Sequence, residues 1–401
     1  MPASSNEQFL DALVRHQIFL FRYSGAVRNE TYRILNATEE AIADKIRSRL
    51  ATTQGGPTAK NLATVGVLLL AVFRLRDAAW DKVDELWTTE LLALAHREPE
   101  FTAGALRTVV PVQLPDLVTL TKAQAKELVG RLPIQGKTLS EWQRDVRAND
   151  LARIRSQITI GIVQDEAAPT IARRVVGSAR THGADGTTET TRRHVEGILA
   201  TVIIAISSQT RSQFFEDNSP LFTEELYVAT LDSRTTPICR SLDGKHFPVG
   251  EGPHPPLHWH CRSLRVAVIN GLPLGERPMR TFTERQLLRE YAERAGFVAP
   301  TTRAGLPYGS KGAFDRFARK RMRELTGRVP GRTSYKEFFS RQSAMFQDDV
   351  LGPTRGKLYR QGKLTLDKFV DARGNEIPLR DLVRLEREAF VAAGLNPENF
   401  L

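Results

Sequence analysis

The sequence predicts a mostly helical α+β protein: a helical N-terminal region, a small metal-braced β module and a mixed, basic C-terminal region. Three observations lead there. Apolar residues recur at helical spacing through most of the first 215 positions. The texture changes near Leu226, where two short runs of strand composition flank a stretch dense in Gly and Pro. Six of the ten Cys and His side chains crowd into residues 239–261, where an even spread would place fewer than one.

The elements follow in order. Residues 6–50 carry helical periodicity in Phe9, Leu13, Ile18, Phe19, Leu35, Ile42, Ile46 and Leu50. A Thr-Thr-Gln-Gly-Gly-Pro break at 52–57 precedes a long helical pattern over 61–97, which Pro99 is expected to end because proline lacks the N–H that continues a helix. Residues 111–115 read as extended, then 121–132 and 139–164 as helices, the second with an N-terminal cap at Ser140 ahead of Glu141 and Trp142. A helix starts over 170–176, a loop spans 182–186, and 187–215 is a long helix with an apolar later face. Residues 226–231 and 264–268 read as strands around the Gly/Pro stretch at 237–256. Helices are predicted near 283–295, 313–326, 335–345 and 379–393.

Length and composition narrow the function. At 401 residues, 41% hydrophobic and 26% charged, the chain has material for two or three compact domains and resembles neither a disordered nor a disulfide-stapled protein. The longest apolar runs, 65–73 and 198–206, are about half of the ~20 residues a membrane helix needs, so no membrane is expected among its partners. The N-terminus has no basic segment leading an apolar one, and folding in the cytosol is expected. The net charge of +11 is concentrated: residues 303–341 hold eleven basic and three acidic side chains, a net of +8. At its centre a helix over 314–325 carries Arg316, Arg319, Lys320, Arg321 and Arg323, suited to phosphate contact without base reading, or to a solvated face or an acidic partner.

A loop of about twenty residues between two short strands buries too little apolar surface to order itself, which points to a bound metal. Zinc takes four ligands from thiolate, imidazole or carboxylate. His258 and Cys261 supply a close His-x-x-Cys pair and Cys239 a distant thiolate. The fourth ligand is open among His246, His254, His260, Asp243 and Asp232, and the expected set is completed with His246. Two buried thiols or a disulfide are the competing arrangements, and His254, between prolines, is expected in solvent. Asp232 and Arg234, on one face of an extended strand, with Arg262 further along the motif, are expected to form an Asp/Arg constellation that braces the loop rather than an acid/base pair.

The runs Thr230-Leu231-Asp232-Ser233-Arg234-Thr235-Thr236-Pro237-Ile238-Cys239, Leu242-Asp243-Gly244-Lys245-His246-Phe247 and Pro255-Pro256-Leu257-His258-Trp259-His260-Cys261-Arg262-Ser263 together resemble the motif of the phage Mu F-like minor head proteins of tailed bacteriophages. Residues 335–370, including Phe346-Gln347-Asp348-Asp349-Val350-Leu351-Gly352, are similar to the C-terminal part of many such proteins. Many members carry Cys where Thr236 and Ser263 stand here, so Cys239, His258 and Cys261 carry over and the fourth ligand does not.

The resemblance implies three regions: 1–135, helical; 136–275, the Mu F-like domain with its Cys/His module; and 276–401, basic. It implies a non-enzymatic minor head or head-morphogenesis protein, assembled in the host cytoplasm and residing in the virion at the portal vertex. Its implied partners are portal protein and capsid or scaffold proteins; the basic segment adds phage DNA without sequence preference, and the Cys/His cluster adds zinc, expected as a structural cofactor. The alternative is a metal-dependent nuclease or other zinc hydrolase built on His258 and His260 beside Cys261; residues 239–263 contain no Asn, which a His-Asn-His finger ordinarily uses.

Overall fold

The computed structural model describes residues 5–51, 59–110, 113–181, 183–269, 276–371 and 374–401. The expected break at 52–57, the first two positions of the extended stretch at 111–115, and His182 of the expected 182–186 loop lie outside the described residues.

The chain opens with α1 (Ser5–Asn36) and α2 (Glu39–Leu50), the expected helical stretch turning once between them. The third helix, α3 (Ala59–Val109), runs 51 residues and continues through Pro99, against the expected stop. Proline there removes a helical hydrogen bond at a cost of about 3 kcal/mol. Tertiary contacts offset it: Glu98, 1% exposed, accepts from Ser207 at 2.5 Å and from Arg211 at 3.0 Å, and it also bonds the His16 ring. The residue just before the proline is thereby tied to both α1 and the helix that carries Ser207 and Arg211.

Next come α4 (Lys122–Arg131) and α5 (Leu139–Val163). Thr138 caps α5, not Ser140: its backbone N–H and hydroxyl both donate to Glu141, at 2.7 and 2.8 Å. Then follow α6 (Ala168–Val176) and α7 (Thr188–Asp217), near their predicted positions. One apolar core joins α1, α3, α4, α5 and α7 around Trp80, Trp87, Leu91, Val195, Val202 and Ile203, and so runs across position 135. Within the bundle Asp150 binds Arg76 at 2.6 Å, the Trp80 indole at 2.9 Å and the Thr191 hydroxyl at 2.5 Å, closing a buried polar joint between α3, α5 and α7.

The β module contains β1 (Phe222–Val228), α8 (Pro237–Leu242), β2 (His246–Phe247) and β3 (Leu264–Ile269), with an antiparallel sheet in the order β2-β1-β3. Leu226 opposes Val266, and Tyr227 opposes Arg265. Period-two alternation divides the sheet. Phe222, Leu226, Val228, Leu264 and Val266 pack on Phe9, Leu10, Leu13, Phe214 and Phe215 at one end of the bundle. Tyr227 and Ala229 face the other way, onto Cys239 and Cys261. The sheet thus sits between the helical platform and the Cys/His loop.

The remainder holds β4 (Glu276–Arg280), α9 (Glu284–Ala295), α10 (Lys311–Glu324) and β5 (Thr326–Pro330), then α11 (Tyr335–Ser340), α12 (Ala344–Leu351), α13 (Pro353–Arg360), α14 (Leu379–Leu385) and α15 (Arg387–Ala392). The predicted helices over 335–345 and 379–393 are each split, at residues 341–343 and at Glu386. The antiparallel pair β4–β5 carried no strand signal because Pro278, Pro330 and Gly327 interrupt its composition. Aromatic packing of Tyr335, Phe338, Phe339 and Phe346 anchors the C-terminal core. Among the described residues no helix is long and apolar enough to cross a membrane.

Candidate metal centre and its scaffold

Cys239 lies on α8, whose first residue, Pro237, starts a helix without needing its missing N–H. Cys261 lies just before β3 and His258 three residues earlier. The fold brings all three together, with their ligand atoms within 4.8 Å of one another. The two sulfurs are 3.8 Å apart, and His258 Nε2 is 3.3 Å from Cys239 Sγ. Two thiolates at the Zn–S bond length of ~2.3 Å in a tetrahedron stand about 3.8 Å apart, so the donor set and its spacing fit a tetrahedral soft-metal site.

The surroundings prepare these donors. His258 Nδ1 donates to the Trp259 carbonyl at 2.8 Å, which orients the ring and turns Nε2 toward Cys239. The Thr236 hydroxyl is 2.8 Å from Nε2, and the Tyr227 hydroxyl 3.3 Å from Cys239 Sγ. Hydrogen bonds from Cys261 and then His258 draw the Cys239 thiol well below the ordinary cysteine range, against its burial. Cys261, hydrogen-bonded to that sulfur and buried, is pushed up. Burial works against a charged His258, but the Cys239 hydrogen bond and charge raise it. The pair therefore holds one thiolate readily, the species a soft cation requires. Both cysteines are free and buried.

His246 does not join them. It is on β2, where its Nδ1 bonds Glu224 at 2.7 Å and its side chain is 42% exposed, and it is not among the ligand atoms that gather at the sulfurs. His260, in a left-handed backbone conformation at φ 56°, turns toward α7, where its N–H donates to Thr201. Only one of the two histidines on which a hydrolase reading rests therefore reaches the sulfurs. His254, expected in solvent, is half-buried beside Arg265 because that guanidinium gathers the loop by donating to the Glu251 carbonyl at 2.6 Å.

The carboxylates offered as ligands hold the scaffold instead. Asp232 receives both guanidinium nitrogens of Arg262, at 2.6 and 2.9 Å, and the Arg234 backbone N–H at 3.0 Å. The brace is thus Asp232–Arg262; Arg234 hydrogen-bonds Asp232 only through its backbone because residues 232–234 form a turn rather than a strand. Burial opposes the Asp232 charge, but Arg262 keeps its carboxyl below the ordinary range. Asp243 accepts from the Ala229 and Tyr335 backbone N–H groups, each at 2.6 Å, and from Arg277. Gly244 follows at φ 78°, a turn that an Asp-Gly pair favours. Arg277, Arg265 and Glu225, a buried set around the sheet, were missed: Arg277 sits in a proline-containing strand, and a charged residue in the short runs of β1 and β3 does not signal burial.

Residues 134–266 match the family described as Phage Mu protein F like protein. The chain carries a Mu F-like region. That region spans α5, α6, α7, the three-stranded sheet into β3 and the whole Cys/His loop, about a third of the chain. No curated protein and no solved structure matches the chain. Within the Mu F-like region Thr236 and Ser263 both abut the cluster: Thr236 contacts His258, and the Ser263 hydroxyl helps lower the Cys239 thiol.

Proposed function

We propose that this is a minor head, head-morphogenesis protein of a tailed bacteriophage, built to hold position at the portal vertex inside the procapsid and to reside in the virion. The Mu F-like match over 134–266 carries this reading, and the family suggests a head-morphogenesis role. In this account Cys239, His258 and Cys261 hold a structural zinc that fastens the loop 243–263 over the outer face of the sheet, with no catalytic step assigned to it. The regions 1–135, 136–275 and 276–401 serve as helical platform, braced module and basic region. The helical platform supplies the surface for portal, capsid or scaffold protein. The exposed face of α10, with Arg316, Arg319, Lys320 and Arg323, supplies non-specific contact with packaged DNA. Arg321 does not contribute, because Glu290 and Glu324 hold it at 2.9 Å.

Co-expression with the portal protein of the same phage, followed by affinity purification through a tag on this chain, tests the assignment. A stoichiometric complex with portal supports it. Recovery of this chain without portal, under conditions in which portal itself assembles, contradicts it.

A further inference from the structure

Between the turn at 232–234 and the α9–α10 pair lies a cavity of about 250 Å³ outside the metal cluster. Arg234, Arg280 and Arg319 stand around it, all three exposed, and no ion pair holds any of them among the described residues. Two of the three carboxylates in the wall are already neutralised from outside it: Asp232 by Arg262, and Asp315 by Arg303 at 2.8 and 2.6 Å. Glu284 is the third. Three guanidinium groups therefore face one uncommitted carboxylate. Partial burial, then the charges of Arg262 and Arg280, hold Arg234 below the usual guanidinium value, a penalty that an arriving anion would relieve. The floor is apolar: Phe282, Leu287, Phe314 and Met322.

We infer that this cavity docks an acidic–apolar peptide segment of a partner protein, an apolar side chain seated on the Phe314 floor and a neighbouring carboxylate held by Arg234 and Arg280. Charge complementarity selects the anion, since planar guanidinium groups bind carboxylates through paired hydrogen bonds. The floor selects a peptide over a nucleic-acid strand. Phe282 and Phe314 are 9% and 3% exposed, too deeply buried to offer open faces on which bases stack. This inference stands independently of the portal assignment.

The test uses the full chain and fluorescence anisotropy with a labelled dodecapeptide bearing Asp-Phe-Leu-Asp at the centre of a Gly/Ser frame. The comparison probes carry Asn-Phe-Leu-Asn or Asp-Ser-Ser-Asp, and a fourth is a twelve-nucleotide oligothymidylate. The expected result is binding of the first at least about tenfold tighter than either peptide control. That binding should fall at least about fivefold in the Arg234→Gln/Arg280→Gln double variant, and not in Arg316→Gln/Lys320→Gln, whose side chains lie outside the cavity. All four arginine and lysine positions are exposed, and unchanged thermal unfolding verifies the variants' folds. Equal binding of the two acidic peptides, equal loss in both double variants, or oligothymidylate displacing the first peptide with Arg234-dependent affinity would each overturn the inference, the last in favour of nucleic acid.

Discussion

Asp243 and Arg277, thirty-four residues apart, form a buried ion pair with nitrogen–oxygen distances of 2.8 and 3.0 Å, both side chains at most 2% exposed. Through it the Asp-Gly turn of the β module, the end of β1, strand β4 and the start of α11 share one joint. Such a pair is weak evidence of net stabilisation, yet removing one member strands a buried charge. Asp243→Ala is expected to cost about 3–5 kcal/mol in urea unfolding. A loss below about 1 kcal/mol would show that Arg277 finds another partner.

Position 236 offers a gain rather than a loss. Its hydroxyl already touches the His258 nitrogen, so Thr236→Cys places a third sulfur at the cluster. Zinc affinity, measured by competition with a chromogenic chelator, is expected to rise about tenfold or more, because four protein ligands close the tetrahedron. Unchanged affinity would place the remaining coordination position elsewhere.

Glu98 and Asp150 are expected to shape the stability of the fold in acid. Burial opposes both charges, but the His16 hydrogen bond with Arg211 outweighs it at Glu98, and Arg76 does so at Asp150, so both carboxyls sit below their ordinary values of 4.5 and 3.8. A depressed acid contributes stability that is complete above its unfolded pKa and is lost as pH falls through the folded one. The melting temperature is therefore expected to hold from pH 7 to about pH 5 and to fall steadily below pH 4.5, and Glu98→Gln should make that fall shallower. An identical acid limb in the variant would remove Glu98 from the account.

The proposed DNA contact of α10 predicts a salt signature. Replacing Arg316, Arg319, Lys320 and Arg323 with Gln should lower the slope of log affinity against log salt by about 0.9 for every phosphate the helix no longer neutralises, equally for unrelated duplex sequences. Retention of the full slope would assign the exposed α10 face to a protein partner.

The sequence made the helical platform and the two outer strands legible because burial against one face imposes periods of 3.6 and 2 that survive without any partner in view. It made Cys239, His258 and Cys261 legible because soft ligands are scarce in this chain. What stayed hidden depends on contacts distant in sequence. Pro99 was expected to end α3, and only the hold of His16, Ser207 and Arg211 on Glu98 explains why it does not. His246 shares the crowded stretch but not the site, since β2 places it opposite Glu224. Arg234 and Arg262 were both legible beside Asp232 in the motif, but not that Arg262, thirty residues away, is the one that pairs with it through both nitrogens.

Elemental analysis of the purified full-length protein bears most directly on the central claim, that a cation held by Cys239, His258 and Cys261 fastens the loop to the sheet. About one zinc ion per chain is expected, falling toward zero in Cys261→Ser. A metal-free wild-type protein whose loop resists proteolysis as well with a chelator present as without it would contradict the account.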